Sequence, residues 1–99
     1  MDSNVLGKIM LYFNDYLFAP SYGWQTKYAL ERSYERWAAG YLIDRILENE
    51  DEPGVKVIED TAKYFKSAAL NTSIKEHRHL FITAAETVVD ILNTIEKEK

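Results

Sequence analysis

Pro53-Gly54-Val55-Lys56-Val57-Ile58-Glu59-Asp60-Thr61-Ala62-Lys63-Tyr64-Phe65-Lys66-Ser67-Ala68-Ala69-Leu70 is the stretch that decides the fold. Val55, Ile58, Ala62, Phe65 and Ala69 recur at alternating three- and four-residue spacing, which puts them on one stripe of a helix. Lys56, Glu59, Asp60, Lys63 and Lys66 make the opposite, solvated face. Pro53 suits the first helical position, and Asp51 and Glu52 stand where the helix dipole favours anions. Three residues beyond this helix, Ser73-Ile74-Lys75-Glu76 has the form of a capping box and opens a second one. Phe81, Ala85, Val88, Leu92 and Ile95 then hold heptad spacing. Leu80, Ala84 and Ile91 widen that seam on one side, Ile82 and Val89 on the other. The resulting apolar arc spans roughly 200°, twice what a one-sided surface helix needs. Such a helix is the central member of a bundle or part of a subunit interface. Its polar stripe reads Glu76, Thr83, Glu86, Thr87, Asp90 and Thr94.

The pattern continues toward the N-terminus. Val5, Leu6, Ile9, Met10, Phe13, Tyr16 and Leu17 share one arc of a helix expected over residues 3–18. Connector signals follow at Ala19-Pro20-Ser21-Tyr22-Gly23 and at the acidic turn Asn49-Glu50-Asp51-Glu52-Pro53-Gly54. Between them a helix is expected over residues 24–48, with Thr26 as a candidate N-cap. Four helices with short connectors predict an all-α, small antiparallel bundle forming one domain over residues 1–99. A chain of 99 residues has a modest core, so self-association is an expected further source of stability.

The helix over residues 24–48 carries two apolar arcs. Leu30, Tyr34, Trp37, Ala38 and Tyr41 share one face; Leu42, Ile43, Ile46 and Leu47 fall nearly opposite. One surface helix cannot bury both arcs in one core. A break or kink at Gly40, a central position in the bundle, or a second chain would each resolve this. The wide arc of the last helix favours the second chain. A homodimer is therefore predicted, with Leu42, Ile43, Ile46 and Leu47 in its interface.

Composition bounds the chemistry. Twelve Lys and Arg against sixteen Asp and Glu give a net charge of −4, opposite in sign to a nucleic-acid binder, and no such partner is expected. The chain has no cysteine, which excludes disulfides and thiolate chemistry. The longest apolar runs, residues 9–13 and 37–43, fall far short of the roughly 20 residues that span a bilayer. No leader is read in Met1-Asp2-Ser3-Asn4, so no membrane association and a cytoplasmic location are expected.

Catalytic and metal-binding patterns are weak. His77 and His79 are the only histidines. Glu76 and His79 form one Glu-x-x-His pair, whereas di-iron bundles need two such pairs and two further glutamates. His77 falls on the apolar arc and is expected to be partly buried. No nucleophile elbow and no Gly-rich phosphate loop occurs. The four carboxylates of Glu48, Glu50, Asp51 and Glu52 read as a solvated turn before a helix. No catalytic residue, metal ligand or cofactor is therefore assigned.

Ten of the thirteen aromatics lie between residues 12 and 41, and seven of the thirteen are tyrosines. Tyrosine and tryptophan join a large apolar area to a polar handle, a combination enriched at protein interfaces. Phe13, Tyr34 and Trp37 are expected in the core. Tyr22 and Trp24 flank Gly23 in a connector, and with Tyr28 they are the predicted partner-binding residues. Small acidic helical proteins of this size act as inhibitors or accessory factors in phage and mobile elements. The expected function is accordingly a non-enzymatic protein–protein interaction module. A small helix-turn-helix regulator, with Lys75, Arg78 and His79 leading its recognition helix, is the alternative. A metal-dependent helical enzyme comes third.

Overall fold

A computed structural model describes residues 3–12 and 26–97. They form four helices: α1 (Ser3–Tyr12), α2 (Thr26–Glu48), α3 (Gly54–Asn71) and α4 (Lys75–Lys97). The described residues contain no strand, and the helices pack as a small all-α bundle. Residues 13–18 of the expected first helix, and Trp24 and Gln25 of the second, lie outside the described residues.

The stripe of α3 behaves as its sequence reads from Ile58 onward, while at its start Val57 is buried and Val55 only half-buried. Ile58, Ala62, Phe65 and Ala69 are buried, and the five charged residues of the opposite face are exposed. Pro53 falls one position earlier than expected. It is the N-cap, and its carbonyl accepts the Val57 N–H at 3.2 Å. The capping box at Ser73 does not form as read, because α4 begins only at Lys75. Instead the Thr72 hydroxyl accepts the Ile74 N–H, and the Thr72 carbonyl accepts from the Arg78 guanidinium at 3.1 Å.

Helix α4 takes the central place, touching α1, α2 and α3. Ala84, Ala85, Val88, Ile91 and Ile95 are its buried residues. Thr87, read from sequence as polar surface, is buried as well. Its hydroxyl donates to the Thr83 carbonyl at 2.8 Å, just as buried Thr61 donates to the Val57 carbonyl at 2.7 Å. Such back-bonding to the preceding turn lets threonine enter a core without an unpaired hydroxyl. The three-residue connector makes α4 return along α3. Tyr41 stacks on Tyr64, and Asn49 and Val57 line one recess, so α2 also runs antiparallel to α3. Helices α2 and α4 therefore run the same way.

The two arcs of α2 resolve in a way the sequence did not anticipate. The helix is unbroken through Gly40, and its buried face is Ala38, Ala39, Leu42 and Ile46. That face takes Ala38 from the edge of the first arc and Leu42 and Ile46 from the second, and buries neither arc whole. Leu42 and Ile46, expected at a dimer interface, are enclosed by the chain's own core. Ile43 packs against that core half-buried, and Leu47 is exposed. Trp37, expected inside, is 43% exposed, and Leu30 is also exposed. Ala38 and Ala39 form half of that buried face, and the larger Leu30 and Trp37 lie outside it.

Two glycines test this packing in opposite directions. A Cβ on Gly40 meets nothing within 4 Å, so Gly40→Ala should stabilise by about 0.5–1 kcal/mol through helix propensity alone. A Cβ on Gly54 would stand 2.9 Å from Val5 Cγ1 and 3.1 Å from Val5 Cβ. Relief needs movement of α1 itself, so Gly54→Ala should destabilise by about 1–3 kcal/mol. In a Val5→Ala background the Cγ contacts are gone while the Cβ contact at 3.1 Å remains, so the Gly54→Ala penalty should shrink without vanishing. Urea unfolding of the four proteins in that cycle measures the coupling.

Candidate functional site

An exposed aromatic face lies across α2 and α3. Trp37 and Tyr41 are one turn apart on α2, and Tyr64 comes from α3. All three rest on Phe65, which is fully buried. Their ring centroids lie 5.5, 5.2 and 5.5 Å from that of Phe65, all in tilted geometry. Tyr41 and Tyr64 stack at 5.9 Å with planes only 3° apart. Trp37 meets Tyr41 at 5.8 Å. Tyr64 is 53% exposed, so the face presents large rigid rings to solvent on a buried support. Beside it opens a recess of about 270 Å³ lined by Tyr41, Tyr64, Arg45, Asn49 and Asp60 among others.

The neighbouring face between α2 and α4 is acidic. Glu31, Glu35, Glu86 and Asp90 line a recess of about 310 Å³ together with His79. His79 sits edge-on to Tyr34 at 5.4 Å, with its Nε2 3.9 Å from a Glu31 oxygen. Helix α4 thus does present Lys75, Arg78 and His79 at an exposed start, but next to four carboxylates that would repel phosphates.

A third feature is an apolar groove of about 750 Å³ between α3 and α4. Ala69, Leu70, Ile82, Ala85 and Val89 form its floor and walls.

Of the predicted partner-binding residues, Tyr22 and Trp24 lie outside the described residues. Tyr28 is in α2, with its side chain outside them. His77, expected to be partly buried, is exposed, as is every residue from Ser73 to His79. Glu76 and His79 do not converge with a third ligand. Among the described residues no group of three or more His, Asp or Glu is placed to hold a metal ion. No described helix is long and apolar enough to cross a membrane.

Two features escaped the sequence reading. Tyr64 sits at the edge of the α3 stripe and was passed over. Leu70 lies in line with Lys63 and Lys66 on the polar face, and is 85% exposed. A lone leucine among lysines at helical spacing was the signal for that surface. No family model, curated protein or solved structure matches the chain.

The stacked tyrosines leave a mark on stability. Partial burial, helped by the neighbouring Tyr64 phenol, pushes the Tyr41 hydroxyl above its ordinary pKa. The folded state then holds this proton more tightly than the unfolded one. Its contribution is intact below the ordinary phenol range and is lost as pH rises through and beyond it. Tyr41→Phe should flatten the alkaline fall in stability, read from urea unfolding at rising pH. Coincident curves for the two proteins would separate Tyr41 from that fall.

Proposed function

We propose that the protein is a non-enzymatic, cytoplasmic interaction module of the inhibitor or accessory-factor kind, which occupies a surface on another protein. The observation that carries this is the exposed Trp37, Tyr41 and Tyr64 face over buried Phe65. Rigid aromatic rings of this kind concentrate binding energy because they bury much area while losing little side-chain freedom. Arg45 and Asp60 beside them supply a polar rim. Tyr22, Trp24 and Tyr28 belong to the same aromatic concentration in the sequence and are part of the proposal as partner-binding residues. Self-association is part of this proposal, since two copies present two aromatic faces and raise avidity.

The test is capture of a partner from the native host, followed by titration of that partner. Tyr64→Ala and Trp37→Ala should each weaken binding by roughly tenfold or more. Tyr64→Ala should keep the protein folded at a cost of about 0.5–1.5 kcal/mol from its aromatic pairs, because about half of the residue is already in solvent. A Tyr22→Ala, Trp24→Ala protein should also bind more weakly. Unaltered capture by the Tyr64 and Trp37 variants would remove the aromatic face as the site.

A further inference from the structure

Helices α3 and α4 leave a groove whose apolar floor is covered by nothing among the described residues. Of its lining residues Leu70 is 85% exposed and Ile82 43%, and Val89 is half-buried. A surface of this size and polarity is an interaction site by ordinary expectation. Its charges decide what fits it. Lys66 and Arg78 stand toward the connector end, whereas Glu86 and Asp90 stand toward the other. Arg78 and Glu86 lie one helical turn from Ile82 in opposite directions along α4. Arg78 lines the groove, is exposed, and donates to the Thr72 carbonyl at 3.1 Å.

A pattern of positive charge, apolar centre and negative charge is complementary to itself after a two-fold rotation. In an isologous contact, residue i meets residue j of the other copy and j meets i. We infer that the α3–α4 groove seats a second copy of this chain, with the two α4 helices antiparallel about Ile82. Ile82 then meets the partner's Ile82 at the axis. Arg78 faces the partner's Glu86, and Glu86 faces the partner's Arg78. Val89 comes over the partner's Leu70, covering the most exposed large apolar side chain among the described residues. A different acidic or basic partner would satisfy only one end of the groove and face like charge at the other.

This site differs from the interface read from sequence, since Leu42 and Ile46 are committed to the core. It rests on the self-association part of the proposed function and names the surface and register.

Sedimentation of the full chain at micromolar and millimolar concentrations tests it. The expected result is a dimer. Ile82→Glu should give a folded monomer, with helicity retained because Ile82 is already at the surface. Arg78→Glu and Glu86→Arg should each weaken the dimer by roughly tenfold, since symmetry makes each reversal count twice. The double variant Arg78→Glu, Glu86→Arg should recover most of the loss. A monomer at every concentration overturns the inference and the self-association with it. A dimer indifferent to Ile82→Glu overturns the groove alone. Partner capture by the Trp37 and Tyr64 face is read separately in both cases, so its survival or loss reports on the proposed function.

Discussion

The bundle is organised around one side chain. Phe65 is fully buried, and it touches Trp37 and Tyr41 from α2, Tyr64 from its own helix and Phe81 from α4. One ring therefore joins the three longest helices. A phenylalanine offers both faces and an edge to neighbours, so four aromatic partners can each find a favoured offset or tilted geometry. The same contact that completes the core also fixes the exposed rings in place. Trp37 and Tyr64 have little freedom left to lose on meeting another surface, because their inner edges already rest on Phe65.

Close approach of backbones is the second constraint, and it follows from small residues. Ala38 and Ala39 on α2 and Ala84 and Ala85 on α4 are all buried. The distance between helix axes depends on the side chains at the contact, and alanines permit a shorter one. The buried strip of α2 joins Ala38, from the edge of one apolar arc, to Leu42 and Ile46 of the other, with Ala39 beside them. Leu30, Trp37 and Leu47 are left partly in water. Burial follows distance to the neighbouring helix axis, and hydrophobicity alone does not report that distance.

That distinction separates what was legible in the sequence from what was not. On α3 the apolar stripe coincides with the direction of its neighbours, so periodicity located Ile58, Ala62, Phe65 and Ala69 correctly. On α4 the wide arc signalled a central helix or an interface, and the structure gives it contacts with all three other helices. Helix α2 has almost no single apolar direction, and its core face could not be read from spacing. The end of α4 misled for a different reason. His77 continues the apolar arc by angle, but the arc outruns the helices that could cover it. For the aromatic face, the concentration of rings before residue 41 was visible in the sequence. The contribution of Tyr64 was not, since it depends on α3 lying against α2.

The aromatic face and the α3–α4 groove share α3, and their separation around that helix has a consequence. Tyr64 lies toward α2, beside Val57 and Asp60, which line the recess next to Tyr41. Leu70 and Lys66 lie toward the opposite flank, where α3 meets the outer side of α4. Residues on different sides of one helix cannot contact the same flat surface. A copy seated in the groove therefore leaves the Trp37, Tyr41 and Tyr64 rings uncovered. A two-fold axis near Ile82 then directs the two aromatic faces away from each other. Two targets, or two sites on one large target, can be engaged at once, but two adjacent sites on a small one cannot. Any gain from pairing thus depends on the spacing of the target surfaces, because avidity vanishes where geometry forbids simultaneous contact.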